Sequence, residues 1–129
     1  MHRNPSAPAT PRHSTILLVE DEPTIAITLR DDLTDHGYLV TSTGDGAEAL
    51  QLLKRQRFHA VVTDLRLPGA DGVEIVSAAR RTSPGTRILV VTAFAANRAE
   101  ALYAAGAREV LHKPFANQAV LAWLAQAAS

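Results

Sequence analysis

The chain has 129 residues, enough for one domain with a buried core and too few for two ordinary domains. Apolar residues make up 47% of it, which suits a globular fold rather than wholesale disorder. Thirteen basic residues balance thirteen acidic ones and there is no cysteine, so nothing in the composition points to nucleic acid or an anionic membrane, and disulfide scaffolds, thiolate metal sites and thiol catalysis are excluded.

Residues 1–14 hold Pro5, Pro8 and Pro11 among small polar residues, with no apolar segment resembling a signal peptide. They read as a disordered extension ahead of a domain spanning 15–129. No apolar run approaches the roughly 20 residues of a membrane span. That and the lack of cysteine fit a cytoplasmic protein.

Ile16-Leu17-Leu18-Val19 is a short branched apolar run that stops at Glu20-Asp21-Glu22, the pattern of a fully buried parallel strand. Pro23 opens a helix. Ile25, Ile27, Leu29 and Leu33 supply its inner side as far as His36-Gly37, where glycine signals the end. Tyr38 to Thr41 reads as the second strand, Gly44-Asp45-Gly46 as a turn, and Ala47 to Arg57 as a helix with Ala49, Leu50, Leu52 and Leu53 inward. His59 to Asp64 is the third strand, again ending on an acid. A Pro68-Gly69 loop leads to a helix over 72–82 that offers Val73, Ile75, Val76 and Ala79 for burial. Arg87 to Thr92 is the fourth strand, 95–105 an alanine-rich helix, 107–112 a fifth strand and 115–128 the last helix. Five strands alternating with five helices imply an α/β fold with a parallel sheet, and right-handed crossovers put helices on both faces.

In such a sheet the reactive crevice lies at the carboxyl ends of the strands. Glu20 and Asp21, Asp64, Thr92 and Lys113 all fall there. Three carboxylates and one lysine leave a charge of about −2, which protons or a cation must relieve. Mg²⁺ suits such a set, because it takes one or two carboxylates, waters and phosphate oxygens. With the ion bound, the site can admit a phosphoryl group. Lys113 then serves as a point charge on it, Thr92 as a hydroxyl donor and a carboxylate as covalent nucleophile. The four positions in order, each at the correct strand end, are far more specific than any one of them.

Leu17 to Glu22, Val61 to Gly72, Val90-Val91-Thr92-Ala93 and Lys113-Pro114-Phe115 resemble the receiver domains of two-component response regulators, the CheY-like group. The resemblance covers about residues 15 to 128. It implies a sheet in the order 2-1-3-4-5. It makes Asp64 the phosphoacceptor, Asp21 a direct Mg²⁺ ligand, Glu20 a neighbouring acid that acts through water, and the Arg66 backbone carbonyl the third protein ligand. Thr92 becomes the hydroxyl that moves toward the phosphate and Lys113 the active-site lysine, with a cis bond to Pro114. A sensor histidine kinase or a histidine phosphotransfer protein becomes the phosphoryl source.

Two departures stand out. Val110 occupies the place where many receivers carry a switch aromatic, and Glu20 stands where aspartate is also common. Arg66 and Phe94 fall two residues after the phosphoacceptor and the threonine, either flanking the phosphoryl group or facing solvent.

The expected output is protein docking by a stand-alone regulator, or by a receiver cut from a longer protein, through the last two helices and the fifth strand onto a downstream target or a second copy. Trp123 falls outside the Val120 and Leu124 stripe, so it is expected either exposed beside Leu102 and Tyr103 as a docking surface or packed on a neighbouring helix. Three rivals differ in class. A flavin-binding protein would need phosphate-cradling donors where Glu20-Asp21-Glu22 repel an anion. A degenerate receiver would act as a phosphorylation-independent scaffold. A Mg²⁺-dependent phosphohydrolase would need a second acid where Arg66 stands, so no turnover of external substrates is expected.

Overall fold

The structure is a computed structural model that describes residues 13–93 and 99–126. Strands β1 (Thr15–Val19), β2 (Leu39–Thr43), β3 (Ala60–Asp64), β4 (Arg87–Thr92) and β5 (Glu109–His112) alternate with helices α1 (Pro23–Asp35), α2 (Gly46–Arg55), α3 (Gly72–Thr82), α4 (Ala99–Ala105) and α5 (Asn117–Ala125). The strands form one parallel sheet in the order β2-β1-β3-β4-β5, as expected.

Because side chains alternate along a strand, the central strands β1, β3 and β4 feed two cores. Leu17, Val19, Val61, Ile88 and Val90 point to one face, where Ala49 and Leu53 of α2, Ile75 and Val76 of α3 and Leu102 of α4 cover them. Ile16, Leu18, Val62, Leu89 and Val91 point to the other, under Leu29 and Leu33 of α1 and Val120, Trp123 and Leu124 of α5. The continuous apolar runs of β1 and β4 follow from this two-sided burial.

Caps match the local sequence. Glu22 accepts the Ile25 amide ahead of Pro23 in the first turn of α1, and Asp71 forms a reciprocal capping box with Glu74 on α3. Gly37 takes a φ of +93° just after α1, a conformation that favours glycine.

Several expectations need correction. Ile27 is 51% exposed, because it lies two residues, or about 200°, from Leu29 on the helix. Of the four residues expected on the inner side, Leu29 and Leu33 are buried and Ile25, four residues before Leu29, is half-buried. Tyr38 precedes its strand, and β2 runs on to Thr43. The last helix is shorter than expected, Asn117–Ala125, and the expected start of α4 at 95–98 lies outside the described residues. The extension assigned to 1–14 lies outside them as far as residue 12. His13 and Ser14 already join the fold, since His13 N–H donates to the Gly37 carbonyl at 2.7 Å and the Ser14 carbonyl accepts from Leu39 at 2.9 Å.

Trp123 is not a docking surface. It is 5% exposed and sits in the same apolar cluster as Val120 and Leu124. Spacings of three and four both return to one helix face, so Trp123 belongs to the stripe. Leu102 is fully buried in the cluster on the opposite sheet face, and only Tyr103 of that trio is exposed.

Candidate functional site

The strand ends place Glu20 just after β1, Asp64 as the last residue of β3, Thr92 as the last of β4, and Lys113 just after β5. Glu20 and Asp64 are buried, Thr92 is fully buried and Asp21 is exposed. Lys113 N–H donates to the Thr92 carbonyl at 3.0 Å, which ties the lysine to the end of β4. The Lys113-Pro114 bond is cis, as the resemblance implies.

Lys113 Nζ donates to Asp64 Oδ2 at 2.7 Å and to Glu20 Oε2 at 3.1 Å. Asp64 Oδ1 accepts from the Leu65 amide at 2.6 Å, and Glu20 Oε2 also accepts from the Glu22 amide at 3.1 Å. These two amides are partners that side-chain patterns do not reveal, because a backbone donor carries no residue identity. Glu20 Oε1 lies 3.0 Å from Nζ, yet it is buried with no donor aligned on it.

Burial pushes the Glu20 carboxyl above its ordinary range, against the downward pull of Lys113 and the Glu22 amide. For Lys113, burial works downward, but its hydrogen bonds to Asp64 and Glu20 outweigh it and hold the ammonium above the usual lysine range. Both directions favour more positive charge at this rim. One lysine does not neutralise three carboxylates.

One oxygen from each of Glu20, Asp21 and Asp64 lies within 4.8 Å of the others, so these three could hold a metal ion. An all-oxygen donor set in which a buried Glu20 oxygen has no aligned hydrogen bond, with one ammonium against three carboxylates, fits a hard divalent cation. Arg66 is exposed, in the loop after β3, and Phe94 lies outside the described residues. Val110 is half-buried and packs against the α2–α3–α4 core.

The response regulator receiver domain model matches residues 16–125. The chain belongs to the response regulator receiver domain family. This receiver is 39% identical over 108 residues to the response regulator MprA of Mycobacterium leprae, covering 83% of the chain and 47% of that protein. It thus spans about half the length of the curated relatives it matches. Among solved structures, a Burkholderia pseudomallei response regulator with a phosphorylated aspartic acid, calcium ion and citrate aligns with a TM-score of 0.79 at 30% identity, over 86% of this receiver and 66% of that chain. The receiver domain of sensor histidine kinase PA1611 from Pseudomonas aeruginosa, with a magnesium ion coordinated in its active site cleft, aligns with a TM-score of 0.75 at 33% identity, over 86% and 97%.

Proposed function

We propose that this receiver is a phosphorylation switch in which Asp64 accepts a phosphoryl group from the phosphohistidine of a sensor histidine kinase or histidine phosphotransfer protein. The observation that carries the reading is Lys113 Nζ, 2.7 Å from Asp64 Oδ2 inside a cluster of three carboxylates. Glu20, Asp21, Asp64 and the Arg66 carbonyl would hold Mg²⁺, which supplies Lewis-acid polarisation of the phosphoryl oxygens. Asp64 attacks phosphorus, its new O–P bond replaces the N–P bond of phosphohistidine, and the imidazole leaves. Lys113 exchanges its contact with the carboxylate for one with the incoming oxyanion, and the Thr92 hydroxyl donates to the same group.

Arg66 occupies the place of an acid that could protonate a leaving group, so the receiver is read as a non-enzyme that accepts one phosphoryl group per cycle. Among the described residues no helix is long and apolar enough to cross a membrane. The phosphorylated form would act by docking on a downstream protein or a second copy through α4, β5 and α5. Val110, lacking an aromatic ring that could turn, favours a second reading as a phosphorylation-independent scaffold.

The two separate on one test. Intact mass after incubation with acetyl phosphate is expected to show a single phosphoryl adduct that needs Mg²⁺ and is absent from Asp64→Asn. No adduct and no binding of beryllofluoride, in a protein that binds Mg²⁺, would leave the scaffold reading.

A further inference from the structure

The Gly44-Asp45-Gly46 turn takes no part in the phosphoryl chemistry, yet it is wedged between two parts of the site. On one side, Glu20 N–H donates to the Thr43 carbonyl at 3.0 Å. A Cβ at Gly44 would lie 3.3 Å from Asp21 Cα and 3.4 Å from the Glu20 carbonyl oxygen. On the other side, Gly46 N–H donates to the Pro68 carbonyl at 2.8 Å. A Cβ at Gly46 would lie 2.5 Å from the Ala70 carbonyl oxygen and 2.8 Å from its nitrogen. Asp45 fills the gap, with Oδ1 accepting the Ala47 amide at 2.7 Å to start α2, directly against Gly69.

The loop that receives this contact is closed at its base, where Gly72 N–H donates to the Leu65 carbonyl at 2.7 Å. Ala70 thus sits in a short, closed loop that also holds Arg66.

We propose that the 43–46 turn is a strut that sets the separation between Glu20–Asp21 and the 65–71 loop, which makes Gly44 and Gly46 positioning residues for the metal site. The inference rests on the reading that Glu20, Asp21, Asp64 and the Arg66 carbonyl hold Mg²⁺. Supports behind a ligand set are worth about 10- to 100-fold in metal affinity. The closeness of backbone on both sides leaves no flexible side chain to give way.

The test is Mg²⁺ titration calorimetry, well below the unfolding temperature, on five proteins. Gly46→Ala is expected to weaken Mg²⁺ about tenfold or more. Gly44→Ala, whose neighbour must give by only tenths of an ångström, is expected to weaken it less. Gly85→Ala, with nothing within 4 Å of its Cβ, is expected to match the wild type. Val120→Ala, in the core of the opposite face, supplies a loss of thermal stability without touching the turn. Affinity retained in Val120→Ala and lost in the two turn variants supports the strut. Wild-type affinity in both turn variants, or an equal loss in Val120→Ala, overturns it. A wild type that binds no Mg²⁺ overturns the metal reading and the strut together. Should Gly46→Ala not fold, Gly44→Ala carries the test alone.

Discussion

Lys113 Nζ lies 2.7 Å from Asp64 Oδ2, although 49 residues of chain separate the two. β3 and β5 run parallel and end at the same rim, which brings an acid and a base from distant segments into one hydrogen bond. The contact places the ammonium where phosphoryl oxygens would arrive, and also where it competes with a cation for the same carboxylates.

Lys113→Ala should therefore divide the two properties. Mg²⁺ affinity is expected to rise, while phosphorylation by acetyl phosphate slows about a hundredfold, the usual loss when one preorganised donor to developing charge is removed. Titration calorimetry and timed intact-mass measurements read the two separately. Parallel loss of both would mean that the lysine only holds the site together.

Glu20→Gln removes one of the three crowded carboxylates while keeping their shape. Metal-free protein is expected to melt higher than wild type, and the extra stability gained on adding Mg²⁺ is expected to shrink. At Mg²⁺ a hundredfold above its dissociation constant, the wild type should gain about 2.7 kcal/mol by mass action. Calorimetric scans with and without the ion give both quantities. An unchanged Mg²⁺ increment would remove Glu20 from the site.

Arg87 holds the far end of the fold. It stacks 4.3 Å from the centre of the Trp123 ring, and its guanidinium donates to the carbonyls of Trp123 at 3.0 Å, Leu124 at 3.2 Å and Gln126 at 3.3 Å. Trp123 and Leu124 lie in the last turn of α5, where carbonyls run short of intrahelical donors, and the Trp123 carbonyl also accepts the Gln126 amide at 3.2 Å. Arg87→Ala is expected to destabilise by about 2 kcal/mol through the lost stack and hydrogen bonds. Arg87→Lys should recover only part, since an ammonium cannot span the same carbonyls while lying flat on the ring. Urea unfolding followed by Trp123 fluorescence measures it, and a change below about 0.5 kcal/mol would mark the clamp as incidental.

Asp71 sits in the stretch that carries the family resemblance, and it caps α3: its Oδ1 accepts the Glu74 amide at 3.1 Å. Asp71→Ala is expected to cost about 1 kcal/mol of stability. Its Mg²⁺ affinity should equal that of the wild type. A loss of Mg²⁺ affinity comparable to that of Asp21→Ala would place Asp71 in the site instead.

The fold was legible because the three central strands are buried on both sides and end abruptly in polar residues, so the runs from Ile16 to Val19 and Arg87 to Thr92 announce both the strand and its reactive end. Glu20, Asp64, Thr92 and Lys113 could be placed at one rim from that pattern alone. Burial on helices was harder to read. Ile27 looked like core because it is apolar, but the angle around the helix decides, and it faces out. For Trp123 the sequence left exposure and packing both open, and a spacing of three from Val120, like Leu124's spacing of four, turns it inward. The Leu65 amide on Asp64, the Gly46 contact with Ala70 and the Arg87 clamp could not be read at all. They join backbone atoms or segments far apart in sequence, where no local period leaves a trace.

The central claim is that Asp64 itself carries the phosphoryl group, and reductive trapping tests it most directly. The receiver is incubated with acetyl phosphate and Mg²⁺, then reduced with borohydride, which converts an acyl phosphate at aspartate to homoserine. Peptide mass spectrometry is expected to find homoserine at position 64, in amounts that fall to background when Mg²⁺ is chelated. Homoserine at another acid such as Asp21, or none at position 64 while the intact protein carries a phosphoryl adduct, would contradict the account.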